Sequence, residues 1–438
     1  MQHDAYDEEE FWSRDQIEAT QLARLKNVVA RVYKGCEFYR KRLDEAGVTP
    51  DSIKSLDDIE KIPMTSKDDL RSQYPLGLVI VPRNQLVRLH CSSGTTGTPV
   101  AIAHTQNDLN VWADLMARCL HMVGVRKDDV FQNMSGYGLF TGGLGLHDAA
   151  TELGCTVVPA SGGSTRRQTV LIRDLGATVL ACTPSYALHL YEVGLENGID
   201  FKKLPLRVGI FGGEPWSKAM RQEMEENMGI DTHNIYGLSE IMGPGVAIDC
   251  SEHNGLHLWE DHFIAEIVDP ATGEPVPEGE LGELVLTNLT KEGSPLIRYR
   301  TRDLTSIDTR PCKCGRTHAR LQRFAGRSDD MLIIRGVNVF PSQLEEEILK
   351  VEHLSPHYQL EVNRRGHLDS LSVRVELKES SLSLSHEQRC QICHQLRHRI
   401  KSMVGISTDI SIVNCGSIPR SEGKACRVSD LRKIVVNG

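Results

Sequence analysis

The chain has 438 residues, 40% of them hydrophobic and 25% charged, with 59 acidic against 50 basic side chains and a formal net charge of −9. These proportions describe a globular protein long enough for two or three domains and exclude a fibrous or disordered polymer. The acidic excess, spread without long blocks of like charge, excludes general attraction to nucleic acid or to an anionic membrane, so any bound polyanion must meet local donors.

Twelve cysteines scattered over this length do not make a secreted disulfide framework, and the acidic first ten residues do not read as a signal peptide. No apolar run approaches a membrane span, so a cytoplasmic location is expected.

Leu22, Leu25, Val29 and Val32 recur at helical spacing and predict an amphipathic helix over about 14–33. Ser66 and Asp69 have the spacing of a capping pair for a short helix. The apolar alternation of 86–91 predicts a strand, and directly behind it stands Ser92-Ser93-Gly94-Thr95-Thr96-Gly97-Thr98-Pro99. Glycines let several backbone N–H groups point at one anion, hydroxyls add donors, and no acidic side chain repels it, which suits a phosphate. The same composition also makes ordinary polar turns. No lysine follows the second glycine, so the run is not the P-loop of kinases and GTPases.

Strand-length apolar runs at 156–159, 178–182 and 207–211 then alternate with helical ones such as 185–196, which predicts a largely parallel α/β sheet. Around 263–267 and 282–287 the pattern changes to short alternating strands joined by a turn at 269–273, a β-rich subdomain over about 245–325. A polar break at 326–330 precedes a strand-like run, and the tail reads strand, helix, strand, helix, strand, helix, clearest at 343–351, 370–377 and 385–403. The expected architecture is α/β: a large N-terminal domain with mainly parallel sheets and the β-rich subdomain, plus a small mobile α+β C-terminal domain. Its boundaries are 1–327, a hinge at 328–329, and 330–438.

Four further motifs stand in order behind the glycine-rich run: Tyr236-Gly237-Leu238-Ser239-Glu240, Tyr299-Arg300-Thr301-Arg302-Asp303, the stretch 326–345, and Pro419-Arg420-Ser421-Glu422-Gly423-Lys424. Each alone is weak, but five in this order over 92–424 resemble the adenylate-forming acyl-CoA synthetase superfamily. The wording Gly212-Gly213-Glu214-Pro215-Trp216-Ser217 and the run 330–342 is similar to its phenylacetate-CoA ligase group. The resemblance implies ATP-dependent activation of an aryl acid to an acyl-adenylate, followed by transfer to coenzyme A with release of AMP and pyrophosphate. That chemistry must hold two anions in line and screen their repulsion, which is positioning and electrostatics.

By the same resemblance Ser92, Ser93, Gly94, Thr95, Thr96 and Gly97 grip phosphates, and Glu240 is the Mg²⁺ carboxylate. Tyr236 with Gly237 offers a face to adenine, Gly213, Glu214 and Pro215 form the purine-edge strand, and Asp303 accepts both ribose hydroxyls. Arg327 touches phosphate or ribose, Asp329 is the hinge aspartate, and Gly336 lines the path of the CoA thiol. Lys424 bridges the attacking carboxylate and the α-phosphate, a point-charge duty that suits an ammonium. The C-terminal domain is implied to rotate about the hinge between half-reactions. One departure stands out: many relatives carry a lysine beside the proline of the first run, where this chain has Thr98 and Val100 around Pro99.

Aromatic residues among glycines at 135–145 suit a flat aryl ring, or equally a turn entering a helix. The resemblance assigns Tyr137, Phe140, Gly142, Gly143 and, with them, Gly213 and Ile241 to the acid pocket. Cys312-Lys313-Cys314 with Cys250 and His257 upstream has the donors of a structural Cys₃His zinc site, His253 being an alternative to His257 and plain buried thiols the other reading. Cys390 and Cys393 fall in a helical stretch without a redox context. A homodimer is the implied assembly. Two rival functions remain: transfer of the adenylate to an acceptor other than CoA, and nucleotide sensing without turnover, which has no need of Lys424.

Overall fold

The computed structural model describes residues 5–91, 99–328, 332–334, 337–365, 368–420 and 427–433. The glycine-rich run 92–98, Asp329, Gly336 and Lys424 lie outside the described residues.

The first helix, Arg14–Gly35, buries Ile17, Leu25, Val28, Val29 and Val32 on the face that the spacing predicted, and Ser13 caps it by accepting from the Gln16 N–H. Ser66 caps Lys67–Ser72 through the expected reciprocal bonds with Asp69. Nine strands form the main sheet, in the order Ile307–Asp308, Arg320–Leu321, Leu256–Leu258, Gly243–Asp249, Asp231–Leu238, Val208–Gly212, Val179–Cys182, Val130–Asn133 and Thr156–Val158. The last five are mutually parallel, with helices such as Pro184–Glu196 as crossovers; the first four attach antiparallel. The strands expected in one β-rich subdomain therefore divide. Those at 243–258 and 307–321 extend the main sheet, while Phe263–Val268, Gly282–Asn288, Tyr299–Thr305 and Gly326–Arg327 make a separate antiparallel sheet. Short alternating strands look alike in sequence whichever sheet accepts them.

A second short hairpin pairs Leu86–Cys91 with Ala101–Thr105, its ends flanking residues 92–98. The C-terminal unit packs Pro341–Leu349 and His386–Val404 on a four-stranded sheet in the order Asp409–Val413, Leu368–Leu377, Leu354–Arg365, Val428–Asp430. Its apolar core, including Leu344, Ile348, Leu360, Val373, Leu396 and Ile400, is separate from the cores of the large domain. The expected single strand before its second long helix is a hairpin. Among the described residues no helix is long and apolar enough to cross a membrane.

Candidate active site

Parallel strands end on one edge of a sheet, and in open α/β sheets ligands bind beyond the carboxyl ends. Here that edge is marked by Asn133, Cys182, Gly212 and Leu238. The aryl segment 135–145 follows the first of these ends, Gly213-Glu214-Pro215 the third, and Ser239-Glu240-Ile241 the fourth. Topology thus brings to one edge motifs that are a hundred residues apart.

Tyr236, on the strand Asp231–Leu238, donates its hydroxyl to Asp303 Oδ2 at 2.6 Å. Asp303 Oδ1 accepts from Arg327 Nη1 at 3.2 Å, because the pairing of Tyr299–Thr305 with Gly326–Arg327 sets these two residues opposite each other. One face of the tyrosine ring is covered by Phe324, with centroids 4.4 Å apart and planes at 22°. Burial, reinforced by the Asp303 carboxylate, drives the Tyr236 phenol well above its ordinary value and keeps it a donor. Gly237 is required by close approach: a Cβ there would lie 1.9 Å from the Gly243 carbonyl oxygen. Glu214, expected on the purine edge, turns one oxygen to the N–H of Ser185 at 2.8 Å, at the start of the helix Pro184–Glu196.

Glu240 is buried, and Lys67, the first residue of its short helix, reaches Glu240 Oε1 at 3.3 Å. Behind them Lys291 is fully enclosed and donates to the Ile241 carbonyl at 2.9 Å. Burial lowers its ammonium to about 8, against the opposing pull of Asp108 and Glu240. The spacing of 63–69 shows Lys67 only as part of a helix start, and Lys291 sits in a polar stretch, Thr290-Lys291-Glu292, of ordinary surface composition. Neither carries a local signal; only folding brings them to Glu240.

In the aryl segment the Tyr137 hydroxyl is anchored by Asn133 Nδ2 at 2.9 Å and lies 3.2 Å from His147 Nδ1, while Phe140 is exposed at the start of the helix Thr141–Glu152. Gly142 and Gly143 are buried, and the space a Cβ on Gly143 needs is taken by the Gly136 carbonyl oxygen at 2.4 Å. Gly143 thus admits the loop's own backbone, while a Cβ on Gly142 would meet the Phe140 ring at 2.9 Å. Thr141 Oγ1 meets Ser239 Oγ at 3.1 Å, and the Ile241 side chain is fully buried.

Away from that edge, one donor atom each from Cys250, His257, Cys312 and Cys314 lies within 4.8 Å of all the others. A tetrahedral zinc sets sulfurs about 3.8 Å apart and sulfur and nitrogen about 3.6 Å apart. Cys250 and Cys312 sulfurs are 3.8 Å apart, and Cys314 Sγ is 3.4 Å from His257 Nε2. His257 Nδ1 lies 3.3 Å from the His318 carbonyl, the outer bond that aims a ligating imidazole. Cys314 is held far below its ordinary value by hydrogen bonding with Cys250 and by His257, while Cys250 is pushed far up by that same shared bond with Cys314. His253 is not in this group: it sits between Asp231 and Asp249, at 3.2 and 3.3 Å, beside Arg221.

A family model described as "AMP-binding enzyme" matches residues 24–289, and one described as "AMP-binding enzyme C-terminal domain" matches 336–432. The chain belongs to the AMP-binding enzyme family, in its phenylacetate-coenzyme A ligase group. It is 59% identical to the phenylacetate-coenzyme A ligase of Escherichia coli (strain K12) over 97% of each chain, and 49% identical to that of Pseudomonas putida over 99% of each. Among solved structures it resembles 2-hydroxyisobutyryl-CoA ligase, at 28% identity. In the postadenylation state with 2-HIB-AMP that enzyme gives a TM-score of 0.92, covering 96% of this chain and 91% of its own. In the thioesterification state, with 2-HIB-AMP and CoA, the TM-score is 0.72 at 29% identity, covering 97% and 92%.

Proposed function

We propose that this chain is an ATP-dependent ligase that joins coenzyme A to phenylacetate or a close aryl acid. An oxygen of the acid attacks the α-phosphorus of ATP and pyrophosphate leaves; the CoA thiol then attacks the acyl carbon and AMP leaves. The observation that carries the reading is the cluster Tyr236, Asp303 and Arg327, remote in sequence and joined at the sheet edge, with Glu240 on the turn that follows. Asp303, an acceptor-only side chain with two oxygens, is the group that takes the ribose hydroxyls in this reading. The open face of Tyr236 is the adenine platform, and Phe324 holds that ring in place.

Glu240 would hold Mg²⁺, which would supply charge screening of the phosphates; a buried carboxylate fits a cation of this kind. Residues 92–97 hold the phosphates, Arg327 assists, and Lys424 joins carboxylate to α-phosphate. Tyr137, Phe140, Gly142, Gly143 and Ile241 line the acid. The large domain spans 1–327, Asp329 acts in the hinge at 328–329, and Gly336 in the C-terminal domain at 330–438 lines the thiol path. Zinc on Cys250, His257, Cys312 and Cys314 is a structural clip, supported by the donor spacings above. A cytoplasmic location is proposed with it, in keeping with twelve cysteines that do not make a secreted disulfide framework. A homodimer is the assembly that the family resemblance implies.

The test is acid-dependent pyrophosphate exchange with a panel of aryl and fatty acids. Phenylacetate is expected to give the fastest exchange, and Lys424→Ala to lower it by about a hundredfold or more, the scale of a lost electrostatic contact to developing charge. Absence of exchange with every acid sinks the ligase reading.

A further inference from the structure

Glu192 lies on the helix Pro184–Glu196 of the large domain, with His189 of the same helix 3.6 Å away, yet its two nearest ionic partners belong to the C-terminal unit. His357 Nε2 is 3.0 Å from Oε1, and Arg420 Nε is 3.4 Å from Oε2. Burial opposes the ionised carboxylate, but His189, His357 and Arg420 outweigh it and hold Glu192 well below the usual range. Arg420 is itself rigidly seated: its guanidinium forks onto the fully buried Glu376 at 3.0 and 2.9 Å, and Glu376 also accepts from the Gly416 and Ile418 N–H groups. One carboxylate of the large domain thus grips the base of the segment that leads to Lys424. An extended chain spans at most about 14 Å over the four residues from 420 to 424.

Two other polar contacts across the same junction lie close in sequence to the domain crossing, while Leu349 of the C-terminal unit packs on the large-domain core cluster that includes Tyr186 and Met224. Arg323 pairs with Glu346 at 2.8 Å and Ser342 bonds to the Ala325 carbonyl, near the pivot where rotation displaces atoms least. The Glu192 contact has no such proximity. The docked arrangement matches the postadenylation-state enzyme described above far better than the thioesterification-state one, at nearly equal identity and coverage.

We propose that Glu192 is the catch by which the large domain holds the C-terminal unit in the adenylating arrangement, acting through His357 and Arg420 as a positioning residue for the Lys424 segment. The inference rests on the ligase reading for its chemistry, but on the contacts for its geometry. Glu192 touches no reacting group in this scheme, so its loss weakens the first half-reaction and spares the second.

The experiment compares wild type with Glu192→Gln, which keeps shape and removes charge, and His357→Gln, which removes the other half of the contact. Phenylacetate-dependent pyrophosphate exchange reports the first half-reaction, and thioester formation from synthetic phenylacetyl-adenylate plus CoA reports the second. Both variants should lose about tenfold in exchange, the scale of one charge-assisted bond, with thioester formation unchanged or faster. Small-angle scattering of the full chain without substrates should show both variants less compact than wild type. Equal loss in both half-reactions, or exchange and scattering indistinguishable from wild type, overturns the catch. A wild type inactive with every acid fails the ligase reading alone, because scattering still tests the catch.

Discussion

Asp303 shows how a single side chain ties several others at the sheet edge. It orients the Tyr236 phenol and fixes Arg327, so removing it leaves the phenol without its short bond and, in the proposed reading, takes away the ribose acceptor. Asp303→Ala should raise the KM for ATP about ten- to a hundredfold, the cost of about 1.5–3 kcal/mol for a bond to a charged group, measured by exchange at varied ATP. Phe324→Ala strips one face of the Tyr236 stack. A milder rise of about three- to tenfold is expected, in line with the ~0.5–1.5 kcal/mol of an aromatic pair, with little change at saturating ATP. Beside Glu240, Lys67 stands 3.3 Å from Oε1, and the buried Lys291 feels the same carboxylate.

Among the elements, the thiol cluster joins pieces that hydrogen bonding alone holds weakly. Cys250 directly follows the strand Gly243–Asp249, His257 sits on the three-residue strand Leu256–Leu258, and Cys312 and Cys314 lie in the loop between the two-residue strands Ile307–Asp308 and Arg320–Leu321. Strands this short are marginal without packing or a clip. Purified protein should hold about one zinc per chain, and Cys312→Ser should lose it. Removal by a strong chelator should lower the melting temperature by about 5 °C or more while leaving the KM for ATP nearly unchanged. Acidification should release the metal, because protons compete for thiolates and imidazole. Stoichiometric zinc that survives Cys312→Ser contradicts the site.

At the scale of the whole molecule, the N-terminal helices are tied to the sheets through buried polar links, of which Tyr39 is the clearest. Its hydroxyl lies 3.2 Å from Thr65 Oγ1 and accepts from the Ile297 N–H at 3.3 Å, joining three distant segments. Burial pushes this phenol up to about 12 from an ordinary value of 10.0. Between those values the native state keeps a proton that the unfolded chain has lost, so stability is intact below about pH 10 and falls as pH rises further, by up to about 3 kcal/mol. Urea midpoints at pH 8, 10 and 11 should show the fall, and Tyr39→Phe should flatten part of it. The periodicity of 14–33, the parallel strands and the ordered motifs of this chain were legible in its sequence, because helical and strand periods and glycine- or carboxylate-bearing turns are local properties of the backbone. So was the grouping of three cysteines and a histidine, although His257 over His253 was decided only when a strand register set His257 beside the cysteines and ion pairs drew His253 to two aspartates. The sharing of 243–327 between two sheets, the Phe324 stack, the lysines at Glu240 and the grip of Glu192 on His357 and Arg420 belong to the tertiary structure alone. Each joins residues far apart in the chain, and such contacts depend on how whole sheets and domains dock, which no local pattern encodes.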